Sequence, residues 1–278
     1  MSSILQDLSP ANLITAIEEN LCSWIPVFGK LGRAHVNDPA GVKRSITDIP
    51  FALFNSIMDT RLPPEQVDAT IQSIASDARS RNVPVLWWTG PSTEPADLGK
   101  HLKKHGFADG GESPGMAVDL ANLNESLPAP EGLSIHLAQD DASWWQWSRV
   151  MMLGFEAPPP AADVAVNAWH ILLSHADAET TRAYIGWLDD KPVATSLLFL
   201  AAGVAGIYAV ATLPEARRKG IGALMTLDAL RLARFMGYKT GILQASEMGL
   251  SVYCSLGFRE YCKIGSYRWR PESIVNAG

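Results

Sequence analysis

The sequence predicts an α/β protein with a mixed sheet, arranged as two successive halves. Three observations lead there. Strand-length apolar runs alternate with helix-length amphipathic ones through the second half. One of those strands hands over to a long helix through the cation- and glycine-rich stretch ATLPEARRKGIGAL, Ala211–Leu224. Fragments of the second half also recur in the first: Leu102–Phe107 resembles Tyr253–Phe258 at an offset of 151 (257 − 106), and Pro64-Glu65 resembles Pro214-Glu215 at 150 (214 − 64). Between these anchors, Ala78-Arg79 and Val85–Trp88 sit where the second half has Ala233-Arg234 and Thr240–Leu243, at an offset of 155.

The elements follow in order. Leu123–Ser134, LNESLPAPEGLS, combines prolines, a glycine and small polar residues and reads as a linker, which divides the chain into domains at 1–126 and 127–278. Beyond it, Ile135–Leu137 is a short strand and Trp144–Leu153 a helical run. Pro158-Pro159-Pro160 interrupts that run, and Val164–Leu173 resumes it. Strands are predicted at Ala183–Leu188, Val193–Leu200 and Ala205–Leu213. A long helix covers Arg217–Met236 with Gly237 as its cap. Thr240–Ala245 is a strand, Leu250–Leu256 a short helix and Tyr261–Arg270 the last strand. Val193–Leu213 carries no charge and is long enough to span a bilayer as a helix. Gly203 and Gly206 divide it, however, and Asp189–Pro192 reads as a tight turn before it, so a buried hairpin is expected and no membrane association.

Composition narrows the function. With 47% hydrophobic and 19% charged residues the chain is a globular one. Its net charge of −6 argues against a nucleic-acid partner, since a phosphate backbone selects a basic face. Three scattered cysteines, Cys22, Cys254 and Cys262, form neither a disulfide framework nor a zinc ligand set, so no metal is expected. The N-terminal residues have neither the basic nor the apolar region of a secretion signal, and the cytoplasm is the expected compartment.

The glycine-rich turn points to an anionic ligand. The first N–H groups of a helix lack internal partners and carry the positive end of the helix dipole. Glycines let that backbone approach a phosphate closely, and Arg217, Arg218 and Lys219 add charge. The ligand is not held by a P-loop, because no Lys-Ser or Lys-Thr follows Gly222. A dinucleotide fingerprint fails too, because Met225 stands where its third small residue belongs.

Arg217-Arg218-Lys219-Gly220-Ile221-Gly222 instead resembles the R/Q-x-x-G-x-G/A signature of the GNAT superfamily of N-acyltransferases, and Tyr253 with Leu256-Gly257-Phe258 resembles its second signature, Y-x-x-x-G-F. The resemblance runs from about Leu133 to the C-terminus and implies a tandem GNAT-like fold whose first copy is degenerate. It also implies an N-acetyltransferase that moves the acetyl group of acetyl-CoA directly to a primary amine of a small molecule or amino acid derivative. Coenzyme A binding would fall to Val210, Ala211, Thr212, Arg217, Arg218, Lys219, Gly220, Ile221, Gly222, Ala223 and Ser246, the last standing where the family often has Asn. Tyr253 would be the acid that protonates the departing thiolate.

The strand entering the turn lacks the family's frequent Glu, which leaves His136, His170, Glu156, Glu247 or a water as base. At an offset of 150 the first half has Val67, Thr70 and Gln72 opposite Arg217, Gly220 and Gly222, so that half is expected not to bind coenzyme A. Trp144, Trp145 and Trp147 precede the region where the family places its acceptor, and two of the three are expected in the core. A protein or peptide acceptor, or a non-catalytic acyl-CoA sensor, stands as the alternative. The assembly is expected to be a monomer or homodimer.

Overall fold

The computed structural model of the protein describes residues 3–32, 34–37 and 41–271. The first half holds helices α1 (Pro10–Cys22) and α2 (Trp24–Phe28), then strands β1 (His35–Asn37), β2 (Lys43–Ile46) and β3 (Ser56–Met58). Helix α3 (Pro64–Arg81), strand β4 (Val85–Thr89), helix α4 (Leu98–Lys104) and strand β5 (Ala108–Asp119) complete it. The second half holds β6 (Leu133–Leu137), α5 (Asp141–Gly154), α6 (Pro159–Ser174), β7 (Thr181–Leu188), β8 (Lys191–Ala201) and β9 (Val204–Thr212). It ends with α7 (Ile221–Phe235), β10 (Thr240–Gln244), α8 (Leu250–Ser255) and β11 (Arg259–Trp269).

The chain forms two compact units, and both are discontinuous in sequence. One takes the chain up to Asn20 together with Pro114–Tyr261, and the other takes Leu21–Ser113 with the chain from Cys262 onward. The crossings at Ser113/Pro114 and Tyr261/Cys262 fall inside β5 and β11. The repeat-based division at 126/127 follows the order of motifs along the chain, so it is a different partition from this one.

In the first unit the strands run in the order β5-β10-β9-β8-β7-β6. Neighbours are antiparallel except β9 and β10, the parallel pair joined through α7. The hairpin expected over Val193–Leu213 forms, and the turn expected before it closes a second. Asp189 and Asp190 (φ 49° and 62°) close β7 onto β8, and Ala202 and Gly203 (φ 53° and 72°) close β8 onto β9. Two consecutive left-handed residues give the turn whose twist matches paired strands. The uncharged stretch is therefore sheet, and among the described residues no helix is long and apolar enough to cross a membrane.

Helix α7 packs on one face of this sheet, where Ile221, Met225, Leu227 and Leu230 join Leu198, Ile207 and Leu243 in the core. Helix α5 covers the opposite face. Trp147, fully buried, donates from Nε1 to the Ser196 carbonyl at 3.1 Å, and a Cβ at Gly154 would lie 2.9 Å from that of Ala211.

In the second unit the strands run in the order β1-β2-β3-β4-β11. Its core gathers Ile57, Val67, Ile71, Trp87, Leu102 and Trp269 under α3. Trp87 is fully buried and its Nε1 donates to Thr60 Oγ1 at 2.9 Å, which satisfies the indole.

Three expectations need correction. The long helix begins at Ile221, not Arg217, because Pro214–Ala216 forms a 3-10 turn and Arg218 and Gly220 take left-handed backbone. Two helices do flank Pro158, but the second begins at Pro159 rather than Val164, because a proline's missing N–H would have no partner in a first turn anyway. Finally, Val67, Thr70 and Gln72 lie inside α3 and are not counterparts of the glycine turn. Matched by element, α3 precedes α7 by 157 residues (221 − 64), β4 precedes β10 by 155 (240 − 85) and β5 precedes β11 by 151 (259 − 108). Thr60, Pro63 and Glu65 then stand opposite Arg217, Gly220 and Gly222.

Candidate active site

The site begins where β9 leaves its neighbours. Its register against β8 shifts between Thr195 and Leu197, with Ala209 at φ 49°, and Thr195 Oγ1 donates to the Ala209 carbonyl at 2.9 Å to hold the bulge. On the other edge, β9 pairs with β10 at Ala205↔Gly241 and Gly206↔Ile242. Among the described residues no β9–β10 pair follows these. Val210, Ala211 and Thr212 therefore lie beyond the last rung, and the two parallel strands part toward their C-terminal ends. That end of a parallel βαβ crossover is where α/β sheets bind ligands.

Alternation assigns the faces. A Cβ built at Gly222 would lie 3.8 Å from both Val210 Cγ1 and Thr212 Oγ1, so these side chains point toward α7, while Ala211 points toward Gly154 on α5. The same 3.8 Å is ordinary contact distance, so protein packing does not require glycine at 222. Gly220 is required by its backbone, at φ 77°. It is the N-cap of α7 and carries no side chain, so the first-turn N–H groups of Ile221, Gly222 and Ala223 have no side-chain acceptor, and the turn holds no acidic residue. Ile221 and Ala223 are buried in the α7 core and fix this turn.

The three cations differ. Arg217 donates from Nε to the Thr212 carbonyl at 3.1 Å and from Nη2 to the Gly154 carbonyl and Glu156 Oε2, at 2.9 and 3.0 Å. It fastens the end of α5 to the exit of β9. Arg218 and Lys219 are exposed and make no ion pair among the described residues. Arg218 is also left-handed (φ 62°), a conformation that costs a non-glycine residue strain and recurs at functional sites.

Tyr253 and Ser246 follow the C-terminal end of β10. Tyr253, on α8, is 9% exposed, with its ring edge-on to Phe258 at 5.9 Å. Burial pushes its phenol up to about 12. Its hydroxyl makes no hydrogen bond among the described residues and, unlike that of Tyr184, is not closed off from solvent. Ser246 Oγ accepts from the Gly249 N–H at 3.1 Å and so shapes the turn into α8.

Distance sorts the candidate bases. His136 lies on β6, three strands from β9 and so about 14 Å away. His170 is held by Asp141 at 2.7 Å and stacks on Trp145 at 4.2 Å. Asp141 begins α5 while Gly154 ends it, which separates this cluster from the slot by about 20 Å. Glu156 is paired with Arg217, which leaves Glu247, exposed beside Ser246, or water. Of Trp144, Trp145 and Trp147, one and not the expected two lies in the core, Trp147. Trp144 donates to the Ala138 carbonyl at 3.1 Å and is half-buried, as is Trp145.

Sequence reading missed Gln244, the last residue of β10. Its Nε2 is enclosed by protein and has no hydrogen-bond partner. An isolated glutamine at a strand end carries no pattern that could have marked it.

Residues 130–241 match the family described as Acetyltransferase (GNAT) domain. Among curated proteins none matches the chain. Among solved structures, the fold is similar to a GCN5-related N-acetyltransferase from Kribbella flavida, with a TM-score of 0.69 and 18% identity over 94% of this chain and 98% of that one. It is also similar to a GCN5-related N-acetyltransferase from Sphaerobacter thermophilus, with a TM-score of 0.61 and 14% identity over 95% and 94% of the two chains. A tandem GNAT protein from the clavulanic acid biosynthesis pathway matches with a TM-score of 0.57 and 14% identity over 91% and 95%.

Proposed function

We propose, from the match of residues 130–241 to the acetyltransferase (GNAT) domain family, that the protein transfers the acetyl group of acetyl-CoA to a primary amine of a small molecule or amino acid derivative. One observation carries the reading: the uncapped, acid-free start of α7 stands at the same sheet end at which β9 parts from β10. The first feature suits a pyrophosphate and the second a narrow arm carrying a thioester. The main-chain N–H groups from Gly220 to Ala223 hold the pyrophosphate, with Arg218 and Lys219 as the surrounding charge. Val210–Thr212, freed from β10, offer backbone donors to the charge that develops on the thioester oxygen.

The amine nitrogen forms a bond to the acetyl carbon while the carbon–sulfur bond breaks, and the amine gives up a proton to water or Glu247. Tyr253 donates to the leaving thiolate. Its pKa of about 12 lies well above an ordinary thiol near 8.5, so the hydroxyl stabilises the thiolate chiefly as a hydrogen-bond donor, and solvent completes the protonation. Holding both reactants in one geometry supplies the larger share of the rate.

The test is a thermal-shift titration with acetyl-CoA, using ATP and NAD as controls. At a hundredfold the dissociation constant the gain is about 2.7 kcal/mol, or roughly 5–10 °C for a chain of this size. A folded protein that does not shift with acetyl-CoA rejects the reading.

A further inference from the structure

One extra residue sets the register of β9. Between Thr195↔Ala211 and Leu197↔Tyr208, β8 advances two positions (197 − 195) while β9 advances three (211 − 208), so Ala209 and Val210 together face Ser196. The bulge falls after Gly206↔Ile242, the last rung to β10, and just before the donors assigned to the thioester, Val210–Thr212. It also resets the alternation of faces. Ile207 and Val210, three positions apart, both pack on the α7 side, while Ala211 meets Gly154 of α5. Without the extra residue, Val210 and Thr212 would turn toward α5. There a Cβ on Gly154 would already come within 2.9 Å of Ala211 Cβ, which leaves no room for a larger side chain.

The extra residue is not a glycine. Ala209 takes left-handed backbone at φ 49°, which a residue with a Cβ adopts only under strain. A hydroxyl holds it there. Thr195, fully buried, donates from Oγ1 to the Ala209 carbonyl at 2.9 Å. The residue opposite the bulge is tied down as well. Ser196 donates from Oγ to the Met225 carbonyl of α7 at 3.1 Å, and its own carbonyl accepts from Trp147 Nε1 of α5 at 3.1 Å. With β8 fastened to both helices, the extra residue must be absorbed in β9.

We propose that Thr195 is a positioning residue for acetyl transfer. Its hydroxyl keeps Ala209 left-handed, and that conformation keeps Val210–Thr212 clear of β10 and turned to the thioester. The inference rests on the acetyl-transfer reading of this slot, and no proton or group passes through Thr195. A consequence follows for position 209. Glycine adopts left-handed backbone unaided, so Ala209→Gly should replace what the hydroxyl supplies. Ala209 is partly exposed, so water can serve its carbonyl once the hydroxyl is gone.

Calorimetric titration with acetyl-CoA, well below Tm, tests this on the wild type, Thr195→Val, Thr195→Ser and Thr195→Val/Ala209→Gly. Thr195→Val keeps the shape and removes the donor, and is expected to bind acetyl-CoA roughly 10-fold more weakly. Thr195→Ser keeps the hydroxyl and should stay within about threefold of the wild type, and the double variant should recover to the same level. A side chain that serves only the fold changes Tm and leaves the affinity of the folded chain alone, so rescue of affinity separates positioning from packing. The proposal is overturned by wild-type affinity in Thr195→Val, by an equal loss in Thr195→Ser, or by a double variant as weak as Thr195→Val. If Thr195→Val does not fold, the double variant carries the test: it is expected to fold and to bind, and failure to do either overturns the proposal. If the wild type itself does not bind acetyl-CoA, the acetyl-transfer reading fails first, and the two failures are told apart.

Discussion

Helices α3 and α7 both follow a strand and lead into the next, but they begin in opposite ways. Helix α7 starts at a glycine N-cap in left-handed backbone, with two exposed cations before it and no acidic residue in its first turn. Helix α3 starts with Pro63 as N-cap and Pro64 as its first residue, followed by Glu65. Proline has no N–H, so two of the donors that would face a phosphate are missing, and the Glu65 carboxylate opposes an anion at the helix end. The difference teaches that a helix terminus can offer its donors to a phosphate only if they are left in place and uncapped. In the proposed reading, two like-ordered elements therefore carry one binding turn between them.

The comparison breaks first at Gly222. A Gly222→Trp chain is expected to fold, since the added side chain meets only ordinary contacts at its root, and to lose acetyl-CoA affinity by 100-fold or more. Calorimetry on the wild type is expected to give one acetyl-CoA per chain. Two equivalent sites, or full affinity in the variant, would erase the contrast between α7 and α3.

Tyr253→Phe comes next. Turnover is expected to drop about 10- to 100-fold, the low end for a proton-donating group, because a phenol near 12 is a reluctant acid. Acetyl-CoA affinity should stay within about twofold. The pH dependence of stability carries the same residue's signature. The folded chain holds the Tyr253 proton more tightly than the unfolded one, so its contribution is complete below pH 10 and is lost as pH rises through about 12. Alkaline unfolding of Tyr253→Phe is expected to be shallower over that window, and an identical curve would mean the buried phenol does not titrate there.

The smallest effects separate the three cations. Arg217→Met is expected to lower Tm by several degrees through the loss of its bonds to Thr212, Gly154 and Glu156, with acetyl-CoA affinity within about twofold. Arg218→Ala and Lys219→Ala should each weaken acetyl-CoA by roughly two- to fivefold, less at high salt, and leave Tm unchanged. If Arg217→Met instead behaves like the other two, its side chain serves the ligand rather than the fold.

Much of this was legible in the sequence, where periodicity and turn chemistry coincide. The two left-handed pairs at Asp189-Asp190 and Ala202-Gly203 mark the hairpins, and Gly220 and Gly222 mark the turn. What was not legible depends on partners far away in the chain. Arg217 reads as a free cation until Gly154 and Glu156, some sixty positions earlier, are brought to it. The first helix boundary failed because Arg217–Lys219 have good helix propensity, which the φ of Arg218 overrides. The offset of 150 misplaced the turn's counterpart because α3, at 18 residues, is longer than α7, at 15, and begins earlier relative to its strands.

The partition of the chain has a consequence for its biosynthesis. Strand β4 receives its antiparallel neighbour from Gly265–Trp269, about 180 residues downstream (265 − 85). During translation, Val85–Thr89 must therefore wait, with one edge unpaired, until Gly265–Trp269 has left the ribosome. Such late, long-range closure is slow and leaves a β edge open to wrong partners. Truncation before residue 265 would accordingly disable the unit that looks N-terminal, long before any residue of that unit had been altered.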